Sequence, residues 1–339
     1  MHELDAAGLA LIENWQRNFP LTTRPYEMIA RSLDMRETDV IAALDRLIRL
    51  GVIARIGAAI RPNTVGVSQL AAMRVPPHRL EAVAEIVNRE PGVNHNYERE
   101  HDINLWFVIT GASQAELQSA VARIRNASGL DVITLPLERG YFIDLGFPIS
   151  PTAKGRHIKP KYERDPDPAP ISPDDIDRRI LGHIEQGLPR TARPFAGIAR
   201  TTGLSEADVI SRLSRLVAHG IITRFGLIVH HRKIGISANA MAVWDIDDHD
   251  VDRIGLLFAA VPAVTLCYRR PRRLPDWPFN LFCMVHGRER PAVLAEINAL
   301  NRLGKLHNRP HAVLFSRRCF RQRGARVRAL AGESTCPTP

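Results

Sequence analysis

Residues 20–60 read PLTTRPYEMIARSLDMRETDVIAALDRLIRLGVIARIGAAI, and residues 189–229 read PRTARPFAGIARTTGLSEADVISRLSRLVAHGIITRFGLIV. The two stretches sit at a constant offset of 169. Between residues 19–68 and 188–237, 20 of 50 positions are identical without a gap. The identities include Arg24-Pro25/Arg193-Pro194, Asp39-Val40-Ile41/Asp208-Val209-Ile210, Gly51/Gly220, Arg55/Arg224 and Gly57/Gly226. Tyr26–Leu33 predicts a short helix. Arg36–Leu50 predicts a longer one, with Val40, Ile41, Leu44, Leu47 and Ile48 at helical spacing. Gly51 ends that helix, and Val52–Ile60 alternates apolar residues as a β-wing does. A further helix precedes each stretch, at Leu4–Asn18 and Ile176–Gln186, so each copy opens as a winged helix-turn-helix.

The likeness continues more loosely downstream. Val93 and Tyr97 match Val264 and Tyr268 at offset 171, and Asn104-Leu105 matches Asn280-Leu281 at offset 176. The growing offset marks insertions in the second copy, chiefly Arg269–Pro278. In the first copy the expected elements are strand Gln69–Val75, helix His78–Arg89, strands Val93–Glu100 and Asn104–Thr110, helix Gln114–Ser128 and strand Asp131–Asp144. That βαββαβ order is the ferredoxin-like split unit, an antiparallel sheet with two helices on one face. The fold class is therefore α+β, a tandem duplication. The expected boundaries are 1–62 and 174–231 for the winged helices, and 63–150 and 232–326 for the ferredoxin-like domains. Residues 151–173 read as a Pro-rich linker and 327–339 as a tail.

Composition narrows the function classes. With 339 residues, 45% of them hydrophobic, the chain has the profile of a globular protein. It carries no apolar run of membrane-spanning length and no signal-peptide pattern at the N-terminus. Cys267, Cys283, Cys319 and Cys336 form no C-x-x-C pair, which argues against a zinc ribbon and for a reducing cytoplasm. The net charge of +10 is uneven: residues 1–150 hold 15 Arg, no Lys and 18 acids. Only five basic residues in the chain are Lys. Such Arg usage reflects either a GC-rich genome or a surface for planar anions. Composition leaves nucleic acid and a small polyanion both open.

Nucleic acid is the weaker reading. The first turns of the second helix-turn-helix helices are Arg36-Glu37-Thr38-Asp39 and Ser205-Glu206-Ala207-Asp208, and two acids in each repel phosphate.

The richest polar run is His95-Asn96-Tyr97-Glu98-Arg99-Glu100-His101. On a strand, His95, Tyr97, Arg99 and His101 share one face. Two imidazoles, a phenol and a guanidinium suit a polycarboxylate; the plainer alternative is an edge strand with solvated charge. The second copy reads Leu266-Cys267-Tyr268-Arg269-Arg270 here, keeping the tyrosine and losing His95. His307 and His311 lie at i, i+4, but Pro310 between them denies that spacing a helical meaning. His311 stays a substrate-contact candidate, as does His230 after the second wing, whose first-copy counterpart is Arg61. Asp245–Asp252 lacks the glycine and the twelfth-position glutamate of an EF-hand, so no metal site is expected there. Trp106 and Phe107 read as core.

The stretches NHNYEREHDINLWFVITG (94–111) and LCYRRPRRLPDWPFNLFCMVHGR (266–288) resemble the two subunit types of the siroheme decarboxylases, a branch of the Lrp/AsnC architecture. So do RIGAAIRPNTVGVSQLAAMRVP (55–76), RFGLIVHHRKIGISANAMAVWD (224–245) and RPHAVLFSRRCFRQRGAR (309–326). The first half is NirD-like and the second NirL-like. The resemblance implies removal of the C12 and C18 acetate carboxyls of siroheme, in heme d1 or alternative heme biosynthesis. It implies no cofactor, iron entering with the substrate. His95 and Tyr97 are the expected catalytic pair. Arg99, His101, Arg61, Arg139, His311 and Tyr268 are the expected substrate contacts. The expected partners are siroheme, an internal pseudo-dimer, a homodimer of such chains and further related subunits. The main alternative is a DNA-binding regulator that senses a tetrapyrrole or an amino acid.

Overall fold

A computed structural model describes residues 4–144, 146 and 171–324 of the chain. Most of the expected linker and the whole tail lie outside the described residues. The first copy runs α1 (Ala6–Trp15), α2 (Pro25–Ser32), α3 (Glu37–Arg49), β1 (Ile53–Ile60), β2 (Val67–Met73), α4 (Leu80–Arg89), β3 (Val93–Arg99), β4 (Leu105–Gly111), α5 (Gln114–Ser128), β5 (Ile133–Pro136) and β6 (Arg139–Ile143). The second runs α6 (Asp175–Glu185), α7 (Pro194–Thr202), α8 (Glu206–Ala218), β7 (Ile222–Val229), β8 (Ala238–Trp244), α9 (Val251–Ala259), β9 (Val264–Arg269), β10 (Leu281–Gly287), α10 (Arg290–Gly304) and β11 (His311–Gln322). Pro25 and Pro194 open α2 and α7, where a missing N–H costs nothing. Gly51 and Gly220, at φ +66° and +65°, end α3 and α8 in the left-handed region.

The chain does not divide copy by copy. Residues up to Val65 group with Gly146–Gly235, and Gly66–Leu145 with Ile236 onward. The two helix-turn-helix modules therefore make one unit, and the two sheet domains make the other.

In the helical unit the two expected wings pair with each other, one from each copy, as an internal pseudo-dimer requires. β1 and β7 pair antiparallel, with Gly57 opposite Gly226. The first helices cross over as well. The Phe19 N–H donates to the Phe225 carbonyl at 3.1 Å, and the Leu188 N–H to the Ile56 carbonyl at 2.7 Å. A Cβ on Gly226 would lie 2.3 Å from the Gln16 carbonyl oxygen, and one on Gly57 would lie 3.1 Å from that of Ile184. The repeated glycine is thus the gap that admits the other copy's helix end. Phe19 sits edge-on to Tyr26, ring centroids 5.6 Å apart, and packs on Phe225 of the other copy at 6.0 Å.

The sheet unit holds nine strands in the order β5-β2-β4-β3-β11-β8-β10-β9-β6. The expected last strand of copy one, Asp131–Asp144, is broken in two. β5 pairs with β2 of its own copy, while β6 pairs with β9 of the other. β11 does both without a break, pairing first with β8 and then with β3. Each copy's last strand therefore begins on its own sheet and ends on its partner's. Helices α4 and α5 cover one core, and α9 and α10 another. On the opposite sheet face of this unit, strand and loop residues alone form the cluster among the described residues, with Trp106, Tyr268, Trp277 and Phe282 at its centre.

Asn104 and Asn280 repeat for a reason. The Asn104 side chain bonds both backbone groups of Val75, and Asn280 does the same to Ile246.

Candidate active site

From His95 to Arg99, past a register shift after Val93, β3 alternates as its sequence predicts. Asn96 points to the helix side, where its amide donates to the Ala84 carbonyl at 3.2 Å and to Asn88 at 3.1 Å. His95, Tyr97 and Arg99 consequently lie on the helix-free face. The His95 and Tyr97 rings stack nearly parallel, 6.1 Å apart, and both are half-buried. Tyr97 stands opposite Trp106 on β4 and Cys319 on β11.

Arg99 is only 8% exposed. Its guanidinium donates to the Leu314 carbonyl at 3.2 Å, to the Ser316 hydroxyl at 3.0 Å and to the Met284 sulfur at 3.7 Å, all in the second copy. It also lies 5.8 Å from the Tyr97 ring centroid. No carboxylate pairs with it among the described residues. Burial pulls its pKa below the usual range, and the Tyr268 and Tyr97 hydroxyls pull the other way. A buried cation without a counter-ion is costly unless something anionic arrives to compensate it.

His101 lies past the end of β3, at the rim of this face. Its Nδ1 accepts from the Ile103 N–H at 3.0 Å, so its ring is neutral with the proton on Nε2. Its edge packs on Trp277 at 5.6 Å. Burial lowers its pKa, with Asp102 opposing and Arg74 assisting. Trp277 belongs to the second-copy insertion. It is fully buried and packs on Trp106 at 4.9 Å, confirming Trp106 as core. A groove of about 970 Å³, lined by His101, Arg74, Arg317 and Arg318 among others, opens beside the strand end. Its exposed arginines are already paired: Arg74 with Asp102, Arg317 with Glu98 and Glu100, Arg318 with Glu81 and Glu98.

Tyr268 joins the same face from β9, stacked on Phe282 at 5.6 Å. Beside it sits Arg270, which the sequence reading passed over. Its guanidinium lies 4.6 Å from the Tyr268 ring and donates to the Leu135 carbonyl. The signal was present: Tyr97-x-Arg99 and Tyr268-x-Arg270 match at the same offset of 171.

Two expected contacts are corrected. Arg139 does not reach this face; it pairs with Asp252 on α9, and its counterpart Arg318 pairs with Glu81 on α4. The two form a reciprocal clasp between copies, because the last strands have exchanged. His311 starts β11 opposite Trp244, on the helix side, exposed and bonded at Nδ1 to the Arg309 carbonyl. Ala312, its neighbour, faces the helix-free cluster instead. Arg61 belongs to the helical unit, where its N–H donates to the Ile221 carbonyl. His230 is in that unit too, and burial lowers its pKa, with Lys233 and Arg55 adding to the effect. Asp247, His249 and Asp250 bring ligand atoms within 4.8 Å of one another. Arg309 already holds Asp247, and Arg253 holds Asp250. Arg326, the last residue of the expected second ferredoxin-like domain, and Arg328 in the expected tail lie outside the described residues.

Two winged helix-turn-helix modules, joined to two exchanged βαββαβ domains, define an AsnC-like protein. The AsnC-like ligand binding domain family matches residues 64–141 and 233–321, and the siroheme decarboxylase NirDL-like HTH domain family matches residues 9–53 and 177–222. The chain belongs to the siroheme decarboxylase family. It is 44% identical to the siroheme decarboxylase NirDL subunit of Paracoccus pantotrophus, over 97% of this chain and 99% of that one. A crystal structure of the siroheme decarboxylase NirDL superposes with a TM-score of 0.66 at 25% identity, covering 96% of this chain and 97% of that one. A second crystal structure, of NirDL in co-complex with an iron-uroporphyrin III analogue, superposes at 0.65 and 25% identity, over 94% and 93%.

Proposed function

We propose that this protein decarboxylates siroheme at its C12 and C18 acetates, giving 12,18-didecarboxysiroheme for heme d1 or an alternative heme route. Family membership supports the reaction. The observation that carries the site assignment is the buried, uncompensated Arg99 beside His95 and Tyr97.

Each step converts R–CH2–COO⁻ and one proton into R–CH3 and CO2. The C–C bond breaks, its electron pair passes to the methylene carbon and the conjugated macrocycle, and a proton fills the vacated position. His95 delivers that proton, and Tyr97 holds the imidazole or the reacting carboxylate by a hydrogen bond. Arg99 binds a carboxylate that does not react. A guanidinium on the departing carboxylate would stabilise the ground state and slow the loss of CO2. Its role is to fix which acetate faces His95. Tyr268 and His101 line the same surface and contact the ring or its side chains. The apolar cluster around Trp106 and Phe282 limits water and strengthens these contacts. No further cofactor enters this scheme, since the iron arrives in the substrate.

Cytoplasmic location, a homodimer of the chain and cooperation with related subunits belong to the same proposal. DNA is not proposed as a partner. Glu37 and Asp39 occupy the first turn of α3, and Arg212 and Arg215 of α8 turn inward to the buried Asp177. Anaerobic incubation with siroheme, followed by mass spectrometry, tests the reading. Loss of two carboxyl masses is expected; siroheme recovered intact after binding would overturn it in favour of a sensor or carrier.

A further inference from the structure

We propose that Tyr268 and Arg270 form a second carboxylate subsite, which anchors one acidic side chain of the macrocycle while another is held at Arg99. This rests on the reading of the substrate as a tetrapyrrole polycarboxylate.

The two arginines are counterparts in the duplication, and their surroundings match. Each lies over the tyrosine two residues before it, at 5.8 Å for Arg99 and 4.6 Å for Arg270. Each donates to the carbonyl of a leucine in the other copy's last strand, Leu314 or Leu135. Each leaves a buried Nε without a partner. Neither has a carboxylate within ion-pairing distance among the described residues. In both, burial depresses the pKa and tyrosine hydroxyls oppose it.

The neighbours of Arg270 sharpen the argument. Arg269 pairs with Glu138 at 3.0 Å and Asp248 at 3.2 Å, and Arg272 with Asp245 at 2.6 Å. Acids are therefore at hand in this stretch, yet the half-buried Arg270, whose Nε is enclosed, has none. A planar fork left uncompensated beside a phenol is suited to bidentate capture of a carboxylate.

The copies differ where chemistry would occur. Leu266 stands in place of His95 and lies with Tyr268 on the same apolar face. The second subsite consequently anchors without reacting. One proton donor with two anchors requires the macrocycle to turn between its two decarboxylations, and Arg270 is a positioning residue that sets which acetate reaches His95.

The test uses the full chain and its R270M and R270K variants. Iron-uroporphyrin III, a polycarboxylate, is titrated by absorbance, siroheme turnover is followed by mass spectrometry, and the melting temperature of the free protein is recorded. R270M is expected to bind the porphyrin about 10–100-fold more weakly, the worth of one charge-assisted bond. It should accumulate singly decarboxylated product, and it should melt no lower than wild type, because a half-buried charge without a counter-ion has been removed. R270K keeps the charge, loses the fork and should fall between them. Unchanged affinity and product pattern in R270M overturns the proposal. So does a sharply lowered melting temperature with retained affinity, which would make Arg270 structural. If R270M fails to fold, R270K with wild-type affinity overturns it. Wild-type protein that binds the porphyrin without decarboxylating siroheme would sink the enzyme reading and leave the subsite standing.

Discussion

Arg99 of the first copy donates to the main-chain carbonyl of Leu314 in the second, 3.2 Å away. The bond exists because β11 leaves its own sheet after Phe315 and finishes on β3. The candidate site is therefore built by both copies, although its distinctive histidine comes from one.

His95→Ala tests the proton donor. Loss of a general acid of this kind lowers kcat by about 10²–10⁴-fold, with little change in KM. Steady-state turnover of siroheme, read by mass spectrometry, checks it. A variant that works at the wild-type rate removes His95 from the mechanism. Tyr97→Phe should cost less, since the ring remains and only the hydroxyl is lost.

Arg139→Gln separates a clasp from a substrate contact. Its partner Asp252 and its own side chain are 41% and 53% exposed, so the pair is worth no more than about 1 kcal/mol. KM for siroheme should stay at the wild-type value. A several-fold rise would restore Arg139 to the substrate site.

Burial depresses the pKa of His101 and His230. The folded state thus holds fewer protons at these rings than the unfolded state. Stability then rises with pH through the window from the depressed values up to the ordinary histidine value. Acidification below about pH 6.5 should destabilise the fold, and His101→Gln should flatten that slope. Urea melts at stepped pH measure it, and an unchanged slope in the variant would contradict the assignment.

Trp277→Ala should cost about 3–5 kcal/mol, the range for emptying a buried tryptophan site. The side chain is fully buried against Trp106, Phe279 and Phe282. Trp277→Phe should recover much of the loss in a denaturant titration.

Gly226→Ala and Gly57→Ala should differ although the residues are counterparts. The first places a methyl 2.3 Å from a main-chain oxygen, the second 3.1 Å. Gly226→Ala should lose at least the ~1–3 kcal/mol of an overpacked core, and Gly57→Ala less. Equal melting temperatures would refute the asymmetry.

The duplication, both modules and the alternation of β3 were legible because they are local patterns. The α5 limits, Gln114–Ser128, match the sequence reading residue for residue. Strand exchange was not legible, since the hydrophobic pattern of β6 is satisfied equally by its own sheet and by β9. Arg139 was misplaced for that reason: its acid lies 113 residues away in the other copy. Arg270 was missed because it sits among Arg269, Arg272 and Arg273, and the Tyr-x-Arg repeat that marks it does not show that Arg269 and Arg272 hold acids while Arg270 holds none.

The exchanged last strands bear on how such a chain can change over generations. A substitution on β3 meets its consequences on β11, more than 200 positions later, and one on β9 meets them on β6. Neither half can drift alone. Compensating changes should appear in pairs that straddle the linker, so the duplicated gene evolves as a single unit of selection even where its two halves have taken different roles.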